Sequence, residues 1–214
     1  MKSVSTTVGL CLAVVAVVLG MFVYSVTRTP LLSAEQLRDR GVIILPQPRE
    51  IAEFELVDTR GDPFTVERLR GAWSFIFFGF TNCPDICPTS MSVLAQAERQ
   101  LQQSNPEVAA HFNGVLVTVD PDRDDPKTLG EYVGAFSARF VGVAGSVEDT
   151  AEFALQLNVG FSRMPSASAQ GEYSVDHSSQ IVIVNPSGHY HGFIKMPHRA
   201  DTVAQAFESL RAGF

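Results

Sequence analysis

One run of apolar residues places the strongest constraint on the fold of this chain. Residues 73–80 read WSFIFFGF, a pattern typical of a central strand that is buried on both faces of an α/β sheet. Two of the three cysteines follow at once in residues 83–88, which read CPDICP. The apolar spacing then predicts a helix over 86–103. We therefore expect a pair of thiols at the end of a buried strand, where a helix begins.

The remaining elements complete an α/β order. The pattern predicts a hairpin over 54–58 and 64–66, strands over 115–119, 140–143, 180–184 and 189–194, and helices over 126–136, from Ser146 onward and over 200–212. Residues 160–179 read as polar and irregular. A terminal hairpin followed by a helix is the arrangement in which a thioredoxin-like fold ends. The prediction is a thioredoxin-like α/β domain with a mixed sheet and an N-terminal hairpin extension.

The first residues predict a membrane anchor. Residues 8–26 are nineteen consecutive uncharged residues, about the length that crosses a bilayer core of about 30 Å as a helix. No small-x-small cleavage site follows them, and Cys11 has no lipoprotein-like context, so an uncleaved span is favoured over a signal peptide. Residues 27–48, with three prolines, read as a linker.

The predicted organisation is therefore a short cytoplasmic tail (1–7), a transmembrane helix (8–26), a linker (27–48) and the thioredoxin-like domain (49–214). The short tail lacks the arginine-rich character of a mitochondrial presequence, which favours a bacterial inner-membrane protein with its domain in the periplasm. The formal net charge is −7. An acidic chain without a basic stripe argues against a nucleic-acid partner and against electrostatic binding to anionic lipid.

The cysteine pair predicts a chemical role rather than a scaffold disulfide. Cys83 and Cys87 are four residues apart, so on a helical turn their Cβ atoms lie about 5–6 Å apart. Such a pair can bind one metal ion or close a disulfide, and the spacing alone leaves both open. A helix N-terminus favours the thiolate, so we expect reactive sulfurs.

A third ligand decides which metal would fit. Thiolates select Cu(I), Zn(II) or iron–sulfur centres, and two cysteines are too few for a structural zinc site. Two sulfurs with one imidazole suit three-coordinate Cu(I). His177 is the candidate, because it lies in the segment before strand 180–184, where a thioredoxin-like fold usually places a cis-proline beside the dithiol.

Three motifs in register resemble the Sco/SenC family of copper proteins. They are FGFT with CPDICP over 78–88, VTVDPDRD over 117–124, and VDHS over 175–178. The similarity extends from about Glu53 to the C-terminus. The resemblance implies copper, as Cu(I) or Cu(II), bound by Cys83, Cys87 and His177. It also implies delivery to the binuclear copper centre of cytochrome c oxidase subunit II or to another copper-accepting protein.

Two other functions could use the same cysteine pair. A thiol–disulfide oxidoreductase that reduces a partner's cysteines would use Cys83 and Cys87 as a redox-active pair and would not need His177. The sequence thus predicts a metallochaperone rather than an enzyme, with reductase activity as the alternative. A peroxiredoxin-like peroxidase is disfavoured, because neither cysteine lies in the P-x-x-x-[TS]-x-x-C context.

Two further clusters were interpreted as structural. His189 and His191 share one face of a strand, with Met196 and His198 soon after, and could form a second copper site; an exposed edge strand explains them better. The aspartates 120, 122, 124 and 125 lack the glycine and distal glutamate of a calcium loop. The roles of Asp120 and of these histidines stay open at the level of sequence.

Overall fold

The computed structural model describes residues 2–27, 30–165 and 173–214. The chain forms two compact units, Met1–Leu31 and Leu32–Phe214. The first unit is dominated by helix α1 (Lys2–Thr27). Of its large apolar side chains, those that the structure describes, including Leu10, Leu12 and Phe22, are more than half exposed.

A helix over residues 8–26 was predicted, and α1 contains it. However, none of the helices in the described ranges is both long and apolar enough to cross a membrane. The structure therefore gives the predicted transmembrane assignment no support.

The second unit alternates strands and helices. Its helices are α2 (Ala34–Asp39), α3 (Ile86–Ser104), α4 (Pro106–Ala109), α5 (Pro126–Gly134), α6 (Val147–Gln156) and α7 (Ala200–Ala212), with a 3-10 turn over Val66–Leu69. Its strands are β1 (Val42–Glu50), β2 (Leu56–Asp58), β3 (Pro63–Phe64), β4 (Trp73–Gly79), β5 (Phe112–Thr118), β6 (Val141–Ala144), β7 (Phe161–Pro165), β8 (Tyr173–His177), β9 (Ile181–Val184) and β10 (His189–Ile194).

Within the described residues, eight strands form one mixed sheet in the order β1-β10-β9-β4-β5-β6-β2-β3. Strands β4, β5 and β6 run parallel, whereas β9 pairs antiparallel with β4. Helix α3 packs on α7 and on the central strands, and α5 packs on β6. The terminal β9–β10 hairpin is followed by α7, as in a thioredoxin-like fold. The predicted fold class and mixed sheet are therefore present.

The central strand positions the functional edge. All seven residues of β4 are buried, and the strand pairs in parallel with β5 up to Gly79 and Thr118. Parallel strands end at the same edge of a sheet. The segment that holds the two cysteines and the segment that begins with Val119 therefore leave the sheet side by side.

Two segments differ from the predictions. Most of the predicted linker is structured, since it contains α2 and much of β1, an edge strand paired with β10. Part of the region interpreted as irregular forms a separate two-stranded sheet of β7 and β8. His177 is thus the last residue of a strand rather than part of a loop, while residues 166–172 lie outside the described residues.

Candidate metal centre

The cysteines lie on the turn that connects β4 to α3. Cys83 precedes the helix and is half-buried, whereas Cys87 is the second residue of α3 and is fully buried. The first N–H groups of a helix lack partners within the helix. Here the backbone N–H of Cys87 donates to Cys83 Sγ at 3.4 Å. This contact folds the first sulfur back over the start of the helix, towards the second.

His177 reaches the same point from the end of β8. Its Nδ1 lies 3.1 Å from the carbonyl oxygen of Ser178, which can only accept, so Nδ1 carries the hydrogen and donates. The lone pair of Nε2 therefore remains available, and Nε2 lies 3.5 Å from Cys87 Sγ. The rings of Phe77 and Phe80 meet the imidazole edge-on at 5.7 and 5.9 Å between centroids. A hydrogen bond to the distal nitrogen is the usual way in which a metal-binding imidazole is oriented.

The three ligand atoms of Cys83, Cys87 and His177 all lie within 4.8 Å of one another. Among the described residues, this is the only group of three or more histidine, cysteine or acidic side chains that converges in this way. The structure thus brings together the three residues that the sequence singled out. Two sulfurs and one nitrogen form a donor set suited to a soft metal ion.

Burial sets the protonation of two of these groups. Burial raises the pKa of the Cys87 thiol far above its ordinary value, and the hydrogen-bonded Cys83 raises it further. Burial thus acts against the thiolate form that the position of Cys87 at the helix N-terminus is expected to favour. Burial also lowers the pKa of His177. Its neutral form, which is the form that binds metals, is thus favoured at pH 7.

Gly79 is a site residue that the sequence did not single out. A Cβ atom at this position would lie 2.9 Å from Cys87 Sγ and 3.0 Å from the ring of Phe77. Only glycine lets the last residue of β4 pass directly beneath the buried sulfur. The FGF pattern that surrounds it predicted a strand but not this close contact.

Asp124, one of the four aspartates considered for a calcium loop, ties the cysteine turn to the end of β5. Its buried carboxylate accepts from the backbone N–H of Thr81 at 3.0 Å, from the Thr81 hydroxyl, and from the Thr118 hydroxyl at 2.6 Å. Thr81 lies two residues before Cys83. The carboxylate therefore fixes the approach of the chain to the first thiol, and its role is structural rather than calcium binding.

An open cleft of about 630 Å³ lies beside the half-buried sulfur. Its lining includes the following residues: Phe80, Cys83, Ile86, Arg123, Tyr173 and His177. Cys87 is not among the lining residues. The metal site can therefore be reached from the side of Cys83 and His177, while Cys87 forms its buried wall.

The other histidines do not join this centre. His191 Nδ1 lies 3.2 Å from Asn185 Nδ2, and its ring meets Trp73 edge-on. His198 Nδ1 lies 2.9 Å from Ser90 Oγ. His189 and His191 do share a face of β10, as predicted from the alternating pattern, and His189 is half-buried. The interpretation of this strand as an exposed edge is wrong, because β10 lies between β1 and β9 in the sheet. His191 and His198 make their side-chain contacts with Asn185 and Ser90, which are not part of the metal centre.

The fold and the site together define a thioredoxin-like domain in which two thiols and an imidazole form a metal centre. A family profile described as SCO1/SenC matches residues 45–212. The chain belongs to the SCO1/SenC family, which confirms the resemblance of its motifs.

Individual relatives agree with this assignment. A putative copper-binding protein of Stutzerimonas stutzeri is 38% identical over 165 residues, which cover 77% of this chain and 78% of that protein. The mitochondrial SCO2 homologue of Mus musculus is 35% identical, with 76% of this chain and 62% of that protein covered. The crystal structure of yeast Sco1 with copper bound has a TM-score of 0.69 at 28% identity, covering 78% of this chain and 91% of the yeast chain.

Proposed function

We propose that this protein is a copper-binding protein of the Sco family, which takes part in the assembly of cytochrome c oxidase. It binds one copper ion through Cys83, Cys87 and His177 and passes that ion to a copper-accepting protein. The observation that carries the proposal is the convergence of two sulfurs and one imidazole nitrogen within 4.8 Å. The copper-bound yeast relative supports the choice of metal.

The donor set fits copper better than a structural zinc ion. Structural zinc sites have four protein ligands, whereas three converge here. Soft thiolates favour Cu(I), and the imidazole adds a ligand that Cu(II) also accepts. The half-buried Cys83 and the adjoining cleft leave one side of the site accessible. A ligand from a partner can therefore reach the copper while Cys87 still holds it, as a stepwise transfer requires.

Subunit II of cytochrome c oxidase is the proposed acceptor, because its binuclear copper centre is the target that the family resemblance implies. The test is complementation of a strain that lacks this protein, at limiting copper. Wild-type protein is expected to restore oxidase activity, and His177→Ala is expected to fail unless copper is added in excess. His191→Ala serves as the matched control, because that imidazole lies outside the metal centre. Full complementation by His177→Ala at limiting copper would contradict delivery by this site.

Thiol–disulfide exchange is the second candidate function. Cys83 and Cys87 could donate two electrons and two protons to a partner's disulfide and become a disulfide themselves, since their sulfurs lie within 4.8 Å. The attacking species in such an exchange is a thiolate. The half-buried Cys83 would attack the partner's disulfide, and Cys87 would then displace the partner to close the disulfide. The raised pKa of Cys87 disfavours that second step, whereas a metal ion can displace the same proton. The complementation test separates the two functions, because a reductase does not need His177.

We further propose that α1 anchors the protein in the bacterial inner membrane, with residues 1–7 in the cytoplasm and the domain in the periplasm. The nineteen consecutive uncharged residues over 8–26 support this proposal. Full-length protein is expected to stay in the membrane fraction after alkaline carbonate extraction. Release of the full-length protein by carbonate would contradict anchoring by α1.

A further inference from the structure

The strand that carries His177 belongs to a ribbon of its own. In the described part of the chain, β7 and β8 pair with each other and not with the eight-stranded sheet. Two hydrogen bonds between Gly160 and Ser178 close one end of the ribbon. The Ser178 N–H donates to the Gly160 carbonyl oxygen at 2.8 Å, and the Gly160 N–H donates to Ser178 Oγ at 3.1 Å. The main sheet therefore does not fix the distance between His177 and the cysteines by strand pairing. Side-chain contacts elsewhere along the ribbon must contribute.

Tyr173 supplies such a contact at the other end of β8. Its hydroxyl donates to Oδ1 of Asp120 at 2.5 Å, and the Asp120 side chain is fully buried. Two guanidinium groups lie over the tyrosine ring, with Arg123 at 4.2 Å and Arg163 at 5.0 Å from the ring centroid. Arg123 also donates to Oδ2 of Asp120 and to the carbonyl oxygen of Tyr173.

The second strand of the ribbon is attached to the same loop. Arg163, on β7, donates to Asp122 at 2.6 Å, and its other terminal nitrogen lies 3.8 Å from Asp120 Oδ1. Both strands of the ribbon are therefore held by Asp120 and Asp122, which lie in the segment after β5. A side chain with this many partners is ordered more strongly than an exposed tyrosine or arginine.

Asp120 is in turn connected to the cysteine turn. Its backbone N–H donates to the Thr118 hydroxyl at 3.0 Å, and that hydroxyl donates to Asp124. Asp124 holds Thr81, two residues before Cys83. A continuous chain of hydrogen bonds thus runs from the turn that carries the thiols to the strand that carries the imidazole.

We propose that Tyr173 is a positioning residue for His177. Its bond to Asp120 holds the β7–β8 ribbon against the edge that carries the cysteines and so sets the distance between His177 Nε2 and the two sulfurs. This inference rests on the proposed copper function. Without the bond, the ribbon moves more freely, and copper is held by the two sulfurs with a weaker contact to the imidazole.

The test uses full-length Tyr173→Phe, which removes one hydroxyl and keeps the ring that both guanidinium groups contact. Cu(I) affinity, measured by competition with a chromophoric chelator, is expected to fall roughly tenfold, as for other groups that orient a metal-binding imidazole. Electron paramagnetic resonance of the Cu(II) form is expected to show a weaker nitrogen coupling. The matched control is Tyr190→Phe, a buried tyrosine on β10 beneath Arg49, which should leave both readouts unchanged.

Amide hydrogen exchange in the metal-free protein supplies a readout that does not depend on copper. Faster exchange at Ser178 and along β8 in Tyr173→Phe, and not in Tyr190→Phe, would support the positioning role. If Tyr173→Phe shows the same amide exchange, the same Cu(I) affinity and the same paramagnetic resonance spectrum as the wild type, the positioning role of Tyr173 is overturned. The proposed copper function is not affected by that result. If wild-type protein binds Cu(I) no more tightly than His177→Ala, the proposed copper function fails. The exchange data alone then decide whether Tyr173 holds the β7–β8 ribbon in place.

Discussion

Replacing Cys87 with serine is expected to lower the Cu(I) affinity of the protein by more than about 100-fold. Changes to groups that only orient a metal ligand already cost about 10–100-fold, and Cys87 is a direct sulfur donor in the proposed site. A serine hydroxyl is a hard ligand that Cu(I) does not favour. Because the thiol is fully buried, the loss should not be recovered by water or by another side chain. Competition with a chromophoric Cu(I) chelator under anaerobic conditions measures the change.

The chain provides its own control for this experiment. Cys11 lies on α1 and is exposed, so Cys11→Ser removes a thiol without touching the site and is expected to bind Cu(I) like the wild type. Far-UV circular dichroism should show that both variants are folded. Equal affinities for the wild type and Cys87→Ser would contradict the role of Cys87, and a loss in Cys11→Ser would place a copper ligand outside the proposed centre.

Replacing Asp124 with alanine is expected to lower the free energy of unfolding by about 3 kcal/mol or more. The substitution leaves three donors without their acceptor, namely the N–H and hydroxyl of Thr81 and the hydroxyl of Thr118. Each buried donor that loses its partner costs roughly 1–3 kcal/mol. The same change frees the turn before Cys83, so Cu(I) affinity should fall as well. Guanidinium unfolding of the full-length protein, followed by circular dichroism, measures the first effect.

The neighbouring Asp125 is the matched control for Asp124. It is exposed and caps α5 by accepting from the N–H groups of Lys127 and Thr128. Losing such a cap typically costs about 1 kcal/mol, and Cu(I) binding should be unaffected by Asp125→Ala. Equal losses of stability in the two variants would show that the buried hydrogen bonds of Asp124 are not what holds this edge together.

The position of the dithiol could be predicted because local patterns determine it. The apolar run of β4 and the apolar spacing of α3 each agree with the structure within a residue or two, and both elements are long and strongly patterned. The mixed sheet and the final β9–β10 hairpin with α7 followed from the order of elements. The recognition of the family depended on three separate motifs, which local periodicity alone would not have linked.

Other elements were missed for identifiable reasons. Strand β1 contains Pro46 and Pro48, which read as a linker; an edge strand tolerates prolines, because one row of its N–H groups needs no partner in the sheet. The register of β1 against β10 indeed shifts between Ile44 and Arg49. The β7–β8 ribbon is short and carries polar residues, so its alternation was too weak to predict a strand around His177.

The chemistry of the site was only partly accessible from the sequence. The raised pKa of Cys87 follows chiefly from burial, which the helix-terminus argument does not include. The contacts of Gly79 with Cys87 and of Tyr173 with Asp120 join residues that are 8 and 53 positions apart, respectively. Neither contact follows from a periodic pattern of apolar residues in the sequence. They appear only when the edge of the sheet is assembled.

X-ray absorption at the copper K-edge of the Cu(I)-loaded protein identifies the proposed ligands themselves, because it reports the atoms bound to the metal. Two sulfur donors and one imidazole nitrogen are expected in the wild type, and two sulfurs without the imidazole in His177→Ala. A wild-type spectrum without imidazole scattering, or one that His177→Ala leaves unchanged, would contradict a copper centre formed by Cys83, Cys87 and His177.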